Sequence, residues 1–271
     1  MIREAVAKLS ISANLILRKD ILLALKRAYI KEPNRRAREI LCAIINNAHL
    51  ARKEGLAICQ DTGLVSVFVQ LGQGARIAGS LNEAINKGVE SGYRRGYLRN
   101  SIVRDPLLRG RPGYQPAVIH IEMIKGNRVI LTVMPKGFGC ENKTQLKMFN
   151  PTATMEEIKS FIVATVKEAG PDACPPYIIG VGLGGTADYS LLLAKKALIR
   201  DINKPNTVRQ INALEKELLK EINRLNIGPM GLGGQSTALA VNIQSYPTHI
   251  AGLPVAVSIS CHALRSATET L

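Results

Sequence analysis

Apolar positions change their spacing several times along this chain, and each change marks an element. Across residues 1–55, Leu15, Leu22, Leu25 and Ile30 recur at helical intervals. Pro33 interrupts them, and Ile40, Leu41, Ile44 and Ile45 then resume a second helical face. After Gly63 the period shortens to that of a strand over Leu64 to Leu71, and a helix follows from about Ser80 to Arg95. Ala117 to Ile124 and Arg128 to Met134 read as two further strands. They flank Lys125-Gly126-Asn127, where glycine supplies a positive φ, so the pattern predicts a β-hairpin. A glycine-rich loop from Lys136 to Lys143 comes next.

Thr154 with Glu157 spells a capping box, and Ile158, Phe161, Ile162, Thr165 and Val166 line one helical face until Gly170. Tyr177 to Leu183 has the unbroken apolar character of a buried strand and leads through Gly184-Gly185-Thr186 into a helix. Pro205 then opens an amphipathic helix through Leu214, Leu218, Ile222 and Leu225. Ala238 to Ile243 and Leu253 to Ile259 are β-branched segments between glycine-rich turns. The alternation predicts an α/β (mixed α+β) fold, a helical N-terminal segment followed by a mixed β-sheet flanked by helices. The expected organisation is one domain over 1–271, with a helical subregion at 1–55.

Composition refines this picture in two respects. With 46% hydrophobic but only 4% aromatic residues and no Trp in 271 positions, the core must be aliphatic. The formal charge of +15, from 36 Lys and Arg against 21 Asp and Glu, raises the question of a polyanionic partner. The dense basic stretch is Arg94, Arg95, Arg99, Arg104, Arg109 and Arg111, with Tyr93, Tyr97 and Tyr114 nearby for stacking. Elsewhere the cations are dispersed on helix faces, so nucleic-acid binding is disfavoured and small anionic substrates fit as well.

No apolar run approaches the roughly 20 residues that span a bilayer. The start, Met1-Ile2-Arg3-Glu4, lacks the apolar centre of a signal peptide. Five widely spaced cysteines, an odd number, then point to a reducing cytoplasm and to thiols that are free or metal-bound.

Gly180, Gly182 and Gly185 satisfy the G-x-G-x-x-G spacing of a dinucleotide site, and Asp201 stands near where a ribose-binding acid belongs. In that fold the acid ends a second parallel strand, whereas Thr186 to Leu225 reads as helices broken at Pro205. A loop of backbone N–H groups beside a helix N-terminus, suited to a carboxylate, is the better reading.

Three cysteines sit in turn-like contexts: Cys59 in Cys59-Gln60-Asp61-Thr62-Gly63, Cys174 in Cys174-Pro175-Pro176, and Cys261 in Ser260-Cys261-His262-Ala263. Cys42, within a helical run, reads instead as a small buried apolar residue. Three thiolates can hold a metal centre while leaving one coordination position open for chemistry. The long intervals between them are unlike the local pairs of a zinc ribbon.

These strings, with Gly139-Cys140-Glu141-Asn142-Lys143, Gly182-Leu183-Gly184-Gly185-Thr186 and Pro247-Thr248-His249-Ile250-Ala251-Gly252-Leu253-Pro254-Val255, resemble the class I, iron-sulfur fumarate hydratase and L-tartrate dehydratase family. The likeness is to its α subunit, or N-terminal domain, and runs from the helical start almost to the C-terminus. It implies a 4Fe-4S cluster held by Cys59, Cys174 and Cys261, with the fourth iron open to the substrate hydroxyl and a carboxylate. By the same matching, Arg99, Gln60 and the backbone N–H near Gly139 contact the substrate carboxylates. Asp61 is a proton carrier near the leaving oxygen or, alternatively, a loop aspartate capping the turn that follows. His249 lies near the substrate hydroxyl, whereas His49, His120 and His262 are read as structural. One departure is Cys140, where many relatives carry Ser; its thiol could compete as a ligand.

The implied activity is a hydro-lyase on a four-carbon dicarboxylate, with fumarate to L-malate favoured over tartrate to oxaloacetate. The family's base for the C3 proton is assigned to the C-terminal domain, so a β subunit on a separate chain and a hetero-oligomer are expected. A reading from a different class is a non-catalytic cluster-bearing or nucleic-acid-binding protein. The joint presence of Asp61, Arg99 and His249 speaks against it.

Overall fold

A computed structural model describes all residues, 1–271. In chain order the elements are α1 (Ile2–Leu15), α2 (Lys19–Lys31), α3 (Arg35–Glu54), β1 (Leu64–Gly72), α4 (Leu81–Arg95), β2 (Val118–Ile124), β3 (Val129–Lys136) and the single turn α5 (Phe138–Glu141). They continue with β4 (Gln145–Phe149), α6 (Met155–Ala169), β5 (Tyr177–Gly184), α7 (Ala187–Ile199), α8 (Arg209–Asn223), β6 (Ala238–Tyr246), β7 (Leu253–Ser260) and β8 (Ala267–Thr270). The chain gathers into two compact units. The first comprises residues 1–18, 47–138 and 265–271, and the second residues 19–46 and 139–264. The sequence predicts one domain over 1–271; here the helical subregion 1–55 is shared between the two units.

The first unit is a four-stranded sheet in the order β2-β1-β3-β8. β1 pairs parallel with β2, and α4 is the crossover helix that a parallel pair requires. Val65, Val67 and Val69 of β1 share a core with Ile85, Val89 and Tyr93 of α4 and with Leu131 and Val133 of β3. Glycines set the approach of α1 to α4. A Cβ at Gly88 would stand 2.7 Å from Arg3 O, and one at Gly92 2.6 Å from Ala7 O. Ser80 caps α4 by accepting a hydrogen bond from Glu83 N at 3.3 Å, as the predicted start near Ser80 requires.

The predicted hairpin is corrected: β2 and β3 are not neighbours, because β1 lies between them. The Lys125–Asn127 connection therefore spans two inter-strand spacings, roughly 10 Å, rather than one. The end of β1 fits beneath it: Gly72 N donates to Arg128 O, Gln73 N to Ile124 O and Gly74 N to Gly126 O.

The second unit has its own mixed sheet, ordered β4-β7-β5-β6, so the mixed α/β class is as expected while the strands form two sheets rather than one. Ile179 and Val181 of β5 face a core shared with Ile158, Ile162 and Val166 of α6 and Leu214, Leu218 and Ile222 of α8. Alternation along β5 turns Gly180 and Gly182 to the other face, onto α7. A Cβ at Gly180 would lie 2.1 Å from Ala194 O, and one at Gly182 2.0 Å from Ser190 O. The G-x-G-x-x-G spacing thus serves close helix-on-strand packing. The capping box of α6 is complete, with Glu157 Oε2 accepting from Thr154 N at 2.7 Å.

The helix expected to open at Pro205 begins at Arg209 instead. Asn206 Oδ1 accepts Val208 N at 3.0 Å, which holds the intervening residues in a turn. Ile30, assigned to an apolar helix face, is 76% exposed. No helix is long and apolar enough to cross a membrane.

Candidate active site

In the first unit the loop from Cys59 to Gly63 joins α3 to β1. Gly63 has φ +77, and a Cβ there would stand 2.8 Å from three backbone atoms of Lys136, so only glycine fits against β3. This close passage brings Asp61 under the end of β3. Asp61 Oδ1 accepts Gly63 N at 2.9 Å, and Oδ2 accepts Phe138 N at 2.8 Å. Both oxygens are therefore anchored by backbone donors, and each keeps a further lone pair. The turn-capping role weighed for Asp61 is present in the Gly63 contact, but the Phe138 contact reaches well beyond a local cap.

Thr62, absent from the sequence-based candidates, ties Arg99 to this loop. Its hydroxyl donates to Arg99 O at 3.2 Å and accepts Arg99 N at 3.1 Å. The Arg99 backbone is thus pinned beside Asp61 while its side chain stays exposed. Below the loop the Tyr93 hydroxyl donates to Thr62 O at 2.6 Å. Burial pushes that hydroxyl up from 10.0 to about 12.

Arg265 was also missed. It is 3% exposed, and its Nη2 donates to Asp61 O at 2.8 Å while Nη1 donates to Asn14 Oδ1 at 3.1 Å. A buried cation beneath the Asp61 loop is costly to place without such partners. A Cβ at Gly137 would meet Asp61 Oδ2 at 3.0 Å and Arg265 Nη2 at 3.6 Å, so glycine keeps the space between them open. Gln60 is exposed, and the Cys59 thiol donates to its Oε1 at 3.6 Å.

The second unit brings together Cys174, Cys261 and the turn at Gly139. Cys174 has φ +57, a left-handed conformation that turns the chain into Pro175-Pro176. Its carbonyl accepts the backbone N–H of His262 at 3.4 Å and lies 3.1 Å from His262 Nδ1, which sets Cys261 next to it in the chain. His262 thus has a structural use, as expected. Cys140 is buried in the core of this unit and its thiol donates to Ala173 O at 3.5 Å. Gly139 is exposed, and a Cβ there would meet only Asp172 O, at 3.9 Å.

His249 stands on a separate exposed turn between β6 and β7. Its Nδ1 accepts Ala251 N at 3.1 Å, so in the neutral ring the proton resides on Nε2, which points away from its own turn's donor. Thr248 Oγ1 fastens this turn to Gly185 O at 3.0 Å. At the α7 N-terminus, predicted as a carboxylate cradle, Gly185 N already donates to Pro247 O. Asp188 is held below its usual range, first by the Thr186 hydroxyl and also by backbone N–H donors of the helix start.

The three motif thiols are divided, with Cys59 in the first unit and Cys174 and Cys261 in the second. None of the five cysteines is in a disulfide, and these three are each partly exposed on turns, a donor set of soft thiols suited to iron and sulfide. Within either unit no three His, Cys, Asp or Glu side chains form a metal cage of their own.

The first unit thus presents an anchored acid beside a pinned arginine, and the second unit carries two turn-borne thiols. The family model for fumarate hydratase (Fumerase) matches residues 3–270, and the chain belongs to that family of hydro-lyases. It is 39% identical, over all of its length and 97% of the relative, to a Methanocaldococcus jannaschii protein provisionally named L(+)-tartrate dehydratase subunit alpha. It is 28% identical, over 92% of its length and 84% of the relatives, to proteins named L(+)-tartrate dehydratase subunit alpha from Escherichia coli K12 and Shigella boydii.

Proposed function

We propose that the chain is the α subunit of a two-subunit hydro-lyase that removes water from L(+)-tartrate to give oxaloacetate. The observation that carries this is the full-length similarity to a relative provisionally named as a tartrate dehydratase α subunit. It reverses the order of substrates read from the sequence, where fumarate came first. Fumarate to L-malate is the second reading, favoured by the description of the family model.

Cys59, Cys174 and Cys261 are proposed to hold a 4Fe-4S cluster, which when bound supplies a Lewis acid for the departing hydroxyl. The exposed Arg99 guanidinium can pair with a substrate carboxylate through two parallel hydrogen bonds, and the backbone clamp from Thr62 fixes where it starts. Gln60 and the backbone N–H near Gly139 are proposed as further carboxylate donors. Asp61 presents oxygens whose positions are set by Gly63 and Phe138, and it handles the proton that accompanies the leaving oxygen. His249 offers an Nε2–H donor to the substrate hydroxyl. The remaining proton, from carbon, is left to a group of the β subunit.

The test is anaerobic reconstitution of the chain and its β subunit with iron and sulfide, followed by turnover of L(+)-tartrate, D-tartrate, L-malate and fumarate. L(+)-tartrate should have the largest kcat/KM. Faster turnover of malate or fumarate would replace the substrate, and iron retention unchanged in C59S, C174S and C261S would remove the cluster assignment.

A further inference from the structure

Between Arg99 and Gly113 the first unit carries an arm, closed at its base where Ile102 N donates to Gly113 O at 3.0 Å and Gly113 N to Ile102 O at 2.7 Å. Its tip is a folded turn. Asp105 Oδ1 accepts both Leu107 N and Leu108 N at 2.8 Å, and Arg109 N donates to Asp105 O at 3.0 Å. Arg109 at φ +66 and Gly110 at φ +73 then reverse the chain. This ordered turn holds Leu107 and Leu108 in water at 89% and 84% exposure. Exposed leucines are common singly, but two adjacent ones on a preformed turn present apolar area whose ordering cost is already met within the monomer.

The flanks of the arm are basic. Arg104, Arg109 and Arg111 make no ion pair within the chain. Arg104 and Arg111 line a polar cleft of about 460 Å³ at its base, together with Arg94, Asn100, Tyr114 and Gln115. Arg94 is already engaged, pairing with Glu90 at 2.8 Å and lying over the Tyr114 ring at 4.8 Å. Asn100 Nδ2 donates to Pro112 O at 3.2 Å and braces the cleft wall. The unpaired guanidinia of Arg104 and Arg111 thus stand at the base of the leucine tip.

We propose that this arm docks the β subunit, its leucines entering an apolar hollow of that subunit whose rim carries carboxylates for Arg104, Arg109 and Arg111. The proposal rests on the two-subunit reading above. A second copy of this chain is the poorer occupant, because a chain of formal charge +15 would bring like charge to the arm. A nucleic acid would leave Leu107 and Leu108 without an apolar counterpart.

The test measures association of the chain with its β subunit by titration calorimetry, and of the chain with itself by sedimentation. L107D/L108D should weaken α–β association about 100-fold or more, since two buried aliphatic anchors would be replaced by charge. L107A/L108A, which retains the turn, should weaken it about tenfold. R104E/R111E should slow association and abolish its dependence on salt. Melting temperatures of the isolated variants should stay close to the parent, since the two leucines are 89% and 84% exposed and the arginines make no ion pair within the chain.

Unchanged affinity in both leucine variants would overturn the docking arm while leaving the two-subunit reading intact. Failure of the parent chain to bind the β subunit at all would overturn both. Self-association of the parent that the leucine variants abolish, or a gel shift with duplex DNA that R104E/R111E abolishes, would reassign the arm.

Discussion

Gly63→Ala probes the passage that positions Asp61, and Gly79→Ala is its internal control. Both glycines have φ +77, so alanine meets the same left-handed backbone at each, at a cost of about 1–2 kcal/mol. Loss of the glycine's freedom in the unfolded chain offsets roughly 0.4–1 kcal/mol of that. The surroundings differ completely. At Gly79 a Cβ would have nothing within 4 Å, whereas at Gly63 it would stand 2.8 Å from the N, C and O atoms of Lys136. Those are backbone atoms in the β1–β3 ladder, where Leu64 pairs with Lys136, and no side-chain rotation relieves the clash. Forcing the ladder apart adds about 1–3 kcal/mol, as overpacking of a well-packed region does.

Gly79→Ala should therefore cost about 0.5–1 kcal/mol, and Gly63→Ala about 2–4 kcal/mol. For a chain of this length that separates the two by roughly 4–10 °C in melting temperature. Circular dichroism melts of the two variants at equal concentration read the difference directly. Amide exchange at Phe138, whose N–H is bound by Asp61, should accelerate only in Gly63→Ala. Melting curves that coincide within a degree would refute the claim that the Asp61 loop is held by this close approach.

Asp61→Asn should reduce turnover of the assembled enzyme about 10²–10⁴-fold while leaving iron content unchanged, because the amide cannot take up the proton; near-parental turnover would confine Asp61 to capping Gly63. Glu215→Ala removes a carboxylate whose Oε1 accepts Arg200 Nη2 at 2.5 Å and Ile243 N at 2.7 Å. Removing the counter-charge of Arg200 and the acceptor of Ile243 N should cost about 3–5 kcal/mol, seen as a lower urea midpoint, and a loss below about 1 kcal/mol would contradict the buried network. Tyr93 gives a pH dependence. Its hydroxyl titrates near 10.0 when unfolded and about 12 when folded, so the fold favours the protonated form. That contribution, about 3 kcal/mol, is fully present below pH 10 and is lost as pH rises towards 12. Tyr93→Phe should flatten the decline of the urea midpoint across that window, and an unchanged slope would show that Tyr93 does not carry it.

Elements with strong local signals were legible in the sequence. β1, α4, α6 and β5 appear close to where periodicity and capping place them, because their apolar faces and caps are written within a few residues. The hairpin failed for a non-local reason. Nothing in Lys125-Gly126-Asn127 reports that β1 inserts between the strands it joins. β4 and β8 are short and largely exposed, so they carry little alternation to read. The site divides along the same line. Gly63 and Cys174 needed unusual backbone and stood in visible turn motifs. Arg265 did not stand out, because its partners Asn14 and Asp61 lie more than two hundred residues away in the chain.

The glycines of β5 show how one spacing can have two physical causes. In a dinucleotide-binding loop a glycine lets the backbone approach the pyrophosphate, which sits at the helix N-terminus. Here the missing Cβ atoms of Gly180 and Gly182 are filled by the backbone carbonyls of Ala194 and Ser190, and Gly185 N–H is taken by Pro247. Alanine at either strand glycine would push α7 off β5. The fact that separates the readings is what occupies the vacant side-chain volume, and that fact lies in the packing of α7, eight and fourteen residues further along the chain.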